Sequence, residues 1–120
     1  MSERKGAIVK QSFGFAVRVV NLYKCLVAEK KEFVLSKQLL RSGTAVGALV
    51  REAQNAESKA DFIHKLGIAQ KECDESIYWL ELLVETDFLK LEEFESIKAD
   101  AEALLKMIRS AIITTKNKNS

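Results

Sequence analysis

Residues with reactive side chains are few in this sequence, and their spacing does not fit a metal site. The one histidine, His64, follows Asp61 by three residues, whereas a di-iron bundle needs two Glu-x-x-His motifs and two further carboxylates. The two cysteines, Cys25 and Cys73, stand alone, without the paired Cys and His spacing of a zinc site. The sequence therefore predicts no bound metal and no other cofactor.

Nucleophilic and acid–base catalysis also lack a recognisable arrangement. Ser42 and Thr44 have no histidine at a definable place, and no G-x-S-x-G elbow is present. The run 43–47 has two glycines but no following Gly-Lys-Ser/Thr, so it is not a phosphate loop. Glu72 and Glu75 lie one helical turn apart, where an ion-paired or solvated role is the simpler interpretation than an acid–base pair. We expect a protein that is not an enzyme.

Composition indicates one all-α domain. The 120 residues carry a formal net charge of +2, and they include five glycines and no proline, which permits long helices. No apolar run approaches the ~18 residues that a membrane-spanning helix needs, and no signal-peptide type segment follows the first residues. Cys25 and Cys73 lie apart from each other at apolar or border positions of predicted helices, which is typical of reduced thiols. We therefore expect a cytoplasmic protein with no membrane association.

Apolar residues recur at steps of three and four in four segments, which is the period of amphipathic helices. Short links between such helices favour an antiparallel up-down-up-down four-helix bundle. The predicted bundle spans 10–113, between a flexible N-terminus at 1–9 and a disordered tail at 114–120. Its helices are predicted to run from about Lys10 to Lys31, Leu35 to Asn55, Ser58 to Glu85 and Glu92 to Ile113.

The second helix is expected to be the packing centre of the bundle. Gly43 and Gly47 stack one turn apart, and each costs about 1 kcal/mol relative to alanine in a helix interior. Such a pair suggests that another backbone approaches closely, because glycine has no side chain in the way. Ser36 is the predicted N-cap of this helix, and Ser58 with Asp61 predicts a capping box at the start of the third.

The first helix has apolar residues around more than half of its circumference, whereas a surface helix normally buries one stripe. One stripe begins at Phe13, and a neighbouring one begins at Phe15. A single bundle does not easily cover both, so we expect copies of the chain to share this surface in a homo-oligomer. A flank of the third helix that contains the one tryptophan is expected to join this contact. The predicted interface residues are Phe15, Val19, Leu22, Ile68, Trp79 and Leu82.

Basic residues are distributed unevenly. Residues 1–33 carry seven Lys/Arg against three Glu, whereas 58–86 carry three Lys against six Asp/Glu. Four basic residues, including Lys31, share one face of the first helix, and two lie a turn apart on the second, where like charges are mildly destabilising. An anionic partner would explain the two basic residues on the second helix. This partner is either the phosphate backbone of a nucleic acid or a glutamate, Glu72 or Glu75. The predicted nucleic-acid contacts are Lys10, Arg18, Lys24, Lys37 and Arg41.

Four segments of this chain form a distinctive set of motifs: Ser12-Phe-Gly-Phe-Ala16, Glu32-Phe-Val-Leu-Ser-Lys-Gln-Leu-Leu-Arg-Ser-Gly-Thr44, Ser58-Lys-Ala-Asp-Phe-Ile63 and Tyr78-Trp-Leu-Glu-Leu-Leu83. In the same order, these motifs resemble those of the 23S rRNA-intervening-sequence (S23) family of four-helix bundle proteins, which is related to the accessory variability determinant of diversity-generating retroelements. Where the family usually has Ser-Ile-Gly-Ala-Asn, this chain has Ala45-Val-Gly-Ala-Leu49.

The resemblance implies a homopentameric ring with a central pore and no enzymatic activity. It also implies binding of nucleic acid, with a protein partner such as a reverse transcriptase. Together, the residues and the resemblance predict a non-catalytic oligomeric bundle whose basic face binds RNA or DNA. The alternative is a structural or protein-interaction module, with no nucleic-acid binding, in which Arg41 pairs with a glutamate.

Overall fold

The computed structural model describes residues 3–118, with side chains from residue 6 onward, and every regular element in that range is an α-helix. The four helices are α1 (Glu3–Lys30), α2 (Leu35–Gln54), α3 (Lys59–Glu85) and α4 (Leu91–Asn117). α1 contacts α2 and α4, and α3 contacts the same two helices. The four helices therefore enclose one core in an elongated body of 50 × 21 × 21 Å. The prediction of an all-α four-helix bundle is confirmed.

Two helices are longer than their apolar patterns predicted. α1 begins at Glu3 rather than at Lys10, because Ile8 is buried and extends the core by another turn. α4 continues past Ile113 to Asn117, and the Thr115 hydroxyl there donates to the Ala111 carbonyl at 2.8 Å. Of the segments predicted to be flexible, residues 1, 2, 119 and 120 lie outside the described part of the chain.

The core is aliphatic for the most part and includes residues from all four helices. Among its fully buried members are Phe15, Leu39, Leu80 and Ile108, one from each helix. The hydroxyl of Ser42 on α2 lies 2.8 Å from that of Ser76 on α3, and both side chains are buried. Each of these hydroxyls is also within hydrogen-bond distance of a carbonyl of its own helix, so this polar pair inside the core is satisfied.

The two glycines of α2 lie on the side of this helix that packs against α1. A Cβ at Gly47 would come within 3.2 Å of the Ser12 carbonyl oxygen, so the expected approach of another backbone is confirmed there. At Gly43 the neighbour is a side chain instead: a Cβ would lie 2.8 Å from both γ-carbons of Val19. Glycine therefore leaves room at both positions for α1 to approach α2 closely.

The start of α2 is capped by Glu32 and not by Ser36 as the sequence suggested. The Glu32 carboxylate accepts the backbone N–H groups of Val34, Leu35 and Ser36 at 2.6–3.1 Å. Ser36 lies inside the helix, where its hydroxyl donates to the Glu32 carbonyl at 2.7 Å. A glutamate reaches the helix from this point because the link at 31–34 brings the carboxylate under the first turn.

The predicted cap at the start of α3 is confirmed. The Asp61 backbone N–H donates to Ser58 Oγ at 3.0 Å. The Asp61 carboxylate in turn accepts the backbone N–H of Glu57 at 3.2 Å. Asp61 is thereby occupied in a helix cap, close to the beginning of the helix where a negative charge is favourable.

Replacing Gly43 and Gly14 by alanine should have opposite effects on stability. Gly43→Ala forces a Cβ onto the rigid, fully buried Val19, and overpacking of this kind costs about 1–3 kcal/mol. Gly14 is exposed on α1, and a Cβ added there would have no neighbour within 4 Å, so Gly14→Ala should stabilise the fold by up to about 1 kcal/mol. Urea unfolding of both variants measures the difference; equal stabilisation by both would contradict the close contact.

Glu32→Gln should destabilise the protein at neutral pH. Burial alone would raise the pKa of Glu32, but three backbone N–H donors hold this pKa below its ordinary value. The charged cap therefore contributes stability above the pKa of an unfolded glutamate, and this contribution is lost as the pH falls through the lower folded pKa. We expect a loss of about 1 kcal/mol at pH 7 that shrinks towards pH 3, measured by urea unfolding.

The exposed Glu57 provides the matched control. It lies next to the start of α3, where the capping carboxylate is that of Asp61. Glu57→Gln should leave stability within about 0.5 kcal/mol of the unaltered protein at both pH values. A Glu32→Gln penalty that stays the same at pH 3 would show that the lost charge is not its cause.

Candidate nucleic-acid interface

The three lysines among the predicted contacts are all exposed. Lys10 and Lys24 lie on the outer face of α1, and Lys37 lies on α2. The outer face of α1 is the row of exposed residues at 10, 14, 17, 21, 24 and 28. In the described part of the chain, none of these three lysines takes part in an ion pair. Their charges are therefore directed at solvent.

The two arginines in the prediction are held by carboxylates of the same chain. Arg18 Nη1 donates to Asp100 Oδ2 at 2.7 Å, and its Nη2 donates to Ser96 Oγ at 2.8 Å. These contacts join α1 to α4. The Arg18 side chain is 39% exposed and that of Asp100 43%, so the pair lies at the surface. Arg18 is thus oriented along the α1–α4 seam rather than outward.

Arg41 lies between two glutamates of α3. Its Nη1 donates to Glu72 Oε1 at 3.2 Å, and its Nη2 donates to Glu75 Oε2. The hydrogen bond to Glu75 is the main cause of a raised pKa at Arg41. The Trp79 indole N–H also donates to Glu75 at 3.0 Å, and this bond, followed by those from Arg41, lowers the pKa of Glu75. The ion-paired interpretation of the two glutamates is confirmed.

Arg51 on α2 is a basic residue that the sequence pattern did not single out as a contact. Its guanidinium lies 5.6 Å from the centroid of the Phe13 ring, which is the geometry of a cation–π contact. The sequence places Phe13 on an apolar stripe, but its side chain is 56% exposed. With Ala16, Gly47 and Ala48, these two residues line a groove of about 400 Å³ between α1 and α2. The recurrence of basic residues along one face of α2 is the signal that would have found Arg51.

The residues predicted to form a subunit interface fall into two groups. Phe15 and Val19 are 1% and 0% exposed within the single chain, because α2 packs onto that side of α1. They offer no surface to a second copy, which corrects the expectation for these two. Four others, Leu22, Ile68, Trp79 and Leu82, are partly buried and keep some accessible surface. The apolar residues that α1 exposes most are instead Phe13 and Val17, the latter at 44%.

The remaining reactive side chains are separated from one another. His64 is exposed on α3. Cys73 is fully buried, donates its thiol hydrogen to the Ala101 carbonyl at 3.3 Å, and has a pKa raised to about 12 by burial. Both cysteines are free thiols. Among the side chains that the structure describes, which are those of residues 6–118, no three of His, Cys, Asp or Glu come together as a metal site. In the same range, no helix has the length and hydropathy to span a bilayer.

The helices and their contacts define an all-α four-helix bundle protein. The chain belongs to the 23S rRNA-intervening sequence protein family, whose model matches residues 4–110. It is also similar to a crystal structure of a protein of unknown function from the S23 ribosomal protein family of Bacteroides thetaiotaomicron. The two chains are 53% identical, with a TM-score of 0.90, over 91% of this chain and 97% of the other. No functionally curated protein matches this chain.

Proposed function

We propose that this protein is a non-catalytic, oligomeric bundle that binds the phosphate backbone of RNA or DNA through the outer face of α1. The observation that carries the proposal is a long segment of α1 without negative charge. Residues 4–28 contain five Lys/Arg and no Asp or Glu, and Lys10 and Lys24 are exposed on the outer face. A nucleic acid laid along this face meets positive charge without an intervening carboxylate.

The two paired arginines contribute less directly in this proposal. Ion pairs between half-exposed side chains are worth about 0–1 kcal/mol and weaken with salt. A polyanion can therefore compete with Asp100 for Arg18, and with the two glutamates for Arg41. Such an exchange leaves carboxylates near the phosphates, which is unfavourable. We expect the exposed lysines to supply more of the binding than Arg18 and Arg41.

The proposal includes an antiparallel arrangement of neighbouring helices. Along α2, Gly43 lies against Val19 while Gly47 lies against Ser12, so the residue number rises on one helix as it falls on the other. The same reversal relates α2 to α3, where Arg41 pairs with Glu75 and Glu52 pairs with Lys65. Helices joined by short links then lie side by side and run in opposite directions.

Assembly into a homopentameric ring is the second part of the proposal. Phe13 and Val17 lie one turn apart on α1 and are too exposed to be part of the core of one chain. An apolar centre bordered by the lysines of the same face has the composition of a subunit contact with a polar rim, in which Lys10 and Lys24 stay accessible to phosphate at the rim. Five copies would place their basic faces side by side, which strengthens weak phosphate contacts by multivalency. A nucleic-acid-processing protein such as a reverse transcriptase is a partner of the same proposal.

The second candidate is a structural or protein-interaction module that binds no nucleic acid. The observation in its favour is that Arg18 and Arg41 are both paired with carboxylates of their own chain. Among the predicted contacts, these two arginines are the side chains best suited to bind phosphate through two hydrogen bonds. In this candidate the free lysines serve solubility, and the exposed apolar residues of α1 contact protein alone.

Removing the exposed lysines should weaken nucleic-acid binding and reduce its salt dependence. We expect the triple variant Lys10→Gln, Lys24→Gln, Lys37→Gln to bind a fluorescein-labelled RNA of about 20 nucleotides at least about tenfold more weakly at roughly 50 mM salt. The slope of log affinity against log salt should fall, because fewer counterions are released. Fluorescence anisotropy across a salt series measures both quantities, and a DNA strand of the same sequence tests the sugar preference.

Three exposed lysines in and next to α4 give a control of equal charge. Lys90→Gln, Lys106→Gln and Lys116→Gln together remove the same number of charges without altering α1 or α2, and they should change the affinity less than about threefold. If the unaltered protein shows no binding at low salt, or binding that salt does not affect, the nucleic-acid proposal fails and the second candidate remains.

A charge placed at the exposed apolar residues of α1 should disrupt the proposed ring. Phe13→Glu with Val17→Glu introduces carboxylates where an apolar contact is proposed, so the particle should fall from pentamer to monomer mass. Light scattering coupled to size-exclusion chromatography at micromolar concentration measures the mass. Ala28→Glu, also exposed on the outer face of α1, should leave the mass unchanged. An unaltered protein that is already a monomer would refute the ring.

A further inference from the structure

One end of the bundle contains a pocket to which all four helices contribute. It lies between the beginnings of α1 and α3 and the ends of α2 and α4, and its volume is about 560 Å³. This is within the range of small-molecule sites, which are mostly apolar with a few polar groups. Its apolar wall includes Ile8, Phe62, Met107 and Ala111. The outer face of α1 does not line this pocket, to which α1 contributes Ala7 and Ile8.

The charged residues of this pocket have one sign. Lys106 and Lys118 line it, and among the described residues that line it none is acidic. Lys118 follows the last turn of α4, where its carbonyl accepts a hydrogen bond from Lys59 Nζ at 2.8 Å. This contact joins the end of α4 to the start of α3 beside the pocket. An anionic group in the pocket would therefore lie near two lysines, with no carboxylate among these lining residues to compete for them.

The wall also contains a polar atom that the described residues leave without a partner. Gln54, at the end of α2, donates from Nε2 to the Val50 carbonyl at 3.0 Å, which fixes the orientation of its amide. Its Oε1 is buried and has no hydrogen-bond partner within the described residues. Buried acceptors are rarely unpaired in folded proteins. Oε1 is an acceptor, which water can pair but an aliphatic chain or an ionised carboxylate cannot, so this atom does not select the head group of an occupant.

We infer that this pocket binds an aliphatic carboxylate. The single apolar chain of the ligand lies inside the pocket, where it contacts the apolar wall formed by Ile8, Phe62, Met107 and Ala111. Its carboxylate lies near Lys106 and Lys118. The apolar wall selects the chain because burial of each methylene removes apolar surface from water. The two lysines select the sign of the head group by charge complementarity. This site is independent of the proposed nucleic-acid face, so either proposal can fail without the other.

Titration with hexanoate, octanoate and decanoate, each below its micelle concentration, tests the inference on the full chain by calorimetry. We expect saturable binding that tightens about three- to fourfold for each buried methylene. Decyltrimethylammonium, with the same chain and the opposite charge, should bind at least about tenfold more weakly than decanoate. Absence of saturable binding, affinity that does not change with chain length, or equal binding of the cation would each overturn the inference.

Two sets of variants locate the site. Ala111→Phe fills the pocket and should weaken decanoate binding at least about tenfold, whereas Ala103→Phe, on an exposed position of the same helix, should leave it unchanged. Lys106→Gln with Lys118→Gln, both at exposed positions, should reduce the preference for decanoate over decanol while the chain-length dependence persists. Circular dichroism confirms folding of each variant. Decanoate binding that survives both sets of changes would exclude this pocket.

Discussion

The close packing of α1 on α2 is the constraint on which the rest of the molecule depends. Gly47 lets the Ser12 backbone approach, and Gly43 leaves room for Val19. This contact fixes the rotation of α1 about its own axis, so that Phe15 is enclosed while Phe13, two residues earlier, stands at the edge of a groove. The exposed face of α1, with its lysines, is therefore a consequence of where two glycines lie in a different helix.

The same packing divides the basic residues into two groups. Arg18 lies towards α4 and Arg41 towards α3, and each reaches acidic residues on the neighbouring helix. Lys10 and Lys24 lie on the side of α1 that has no neighbouring helix among the described residues, so their charges face solvent. The electrostatic field outside the bundle is thus set less by the number of charges than by which helix faces each of them. A net charge of +2 gives no indication of this separation.

Periodicity predicted the fold well because a four-helix bundle is specified by local patterns and short links. The cap formed by Ser58 and Asp61 was predictable for the same reason, since it lies within four consecutive residues. Serine is a common N-cap, which favours Ser36 at the start of α2, yet the carboxylate of Glu32 reaches the helix from the link. The exposure of Phe13 was not predictable, because two apolar stripes on one helix do not reveal which of them a neighbour will cover.

The sequence by itself determined the all-α class, the four helices, the two glycines one turn apart in α2 and the absence of acidic residues from 4–28. These properties follow from residue types and from spacing within single helices. Only the tertiary structure decided that Arg41 meets Glu72 and Glu75, that Phe15 and Val19 belong to the core, and that four helix ends enclose a pocket. Such relations join residues distant in the chain, and they depend on how each helix is rotated when the bundle closes.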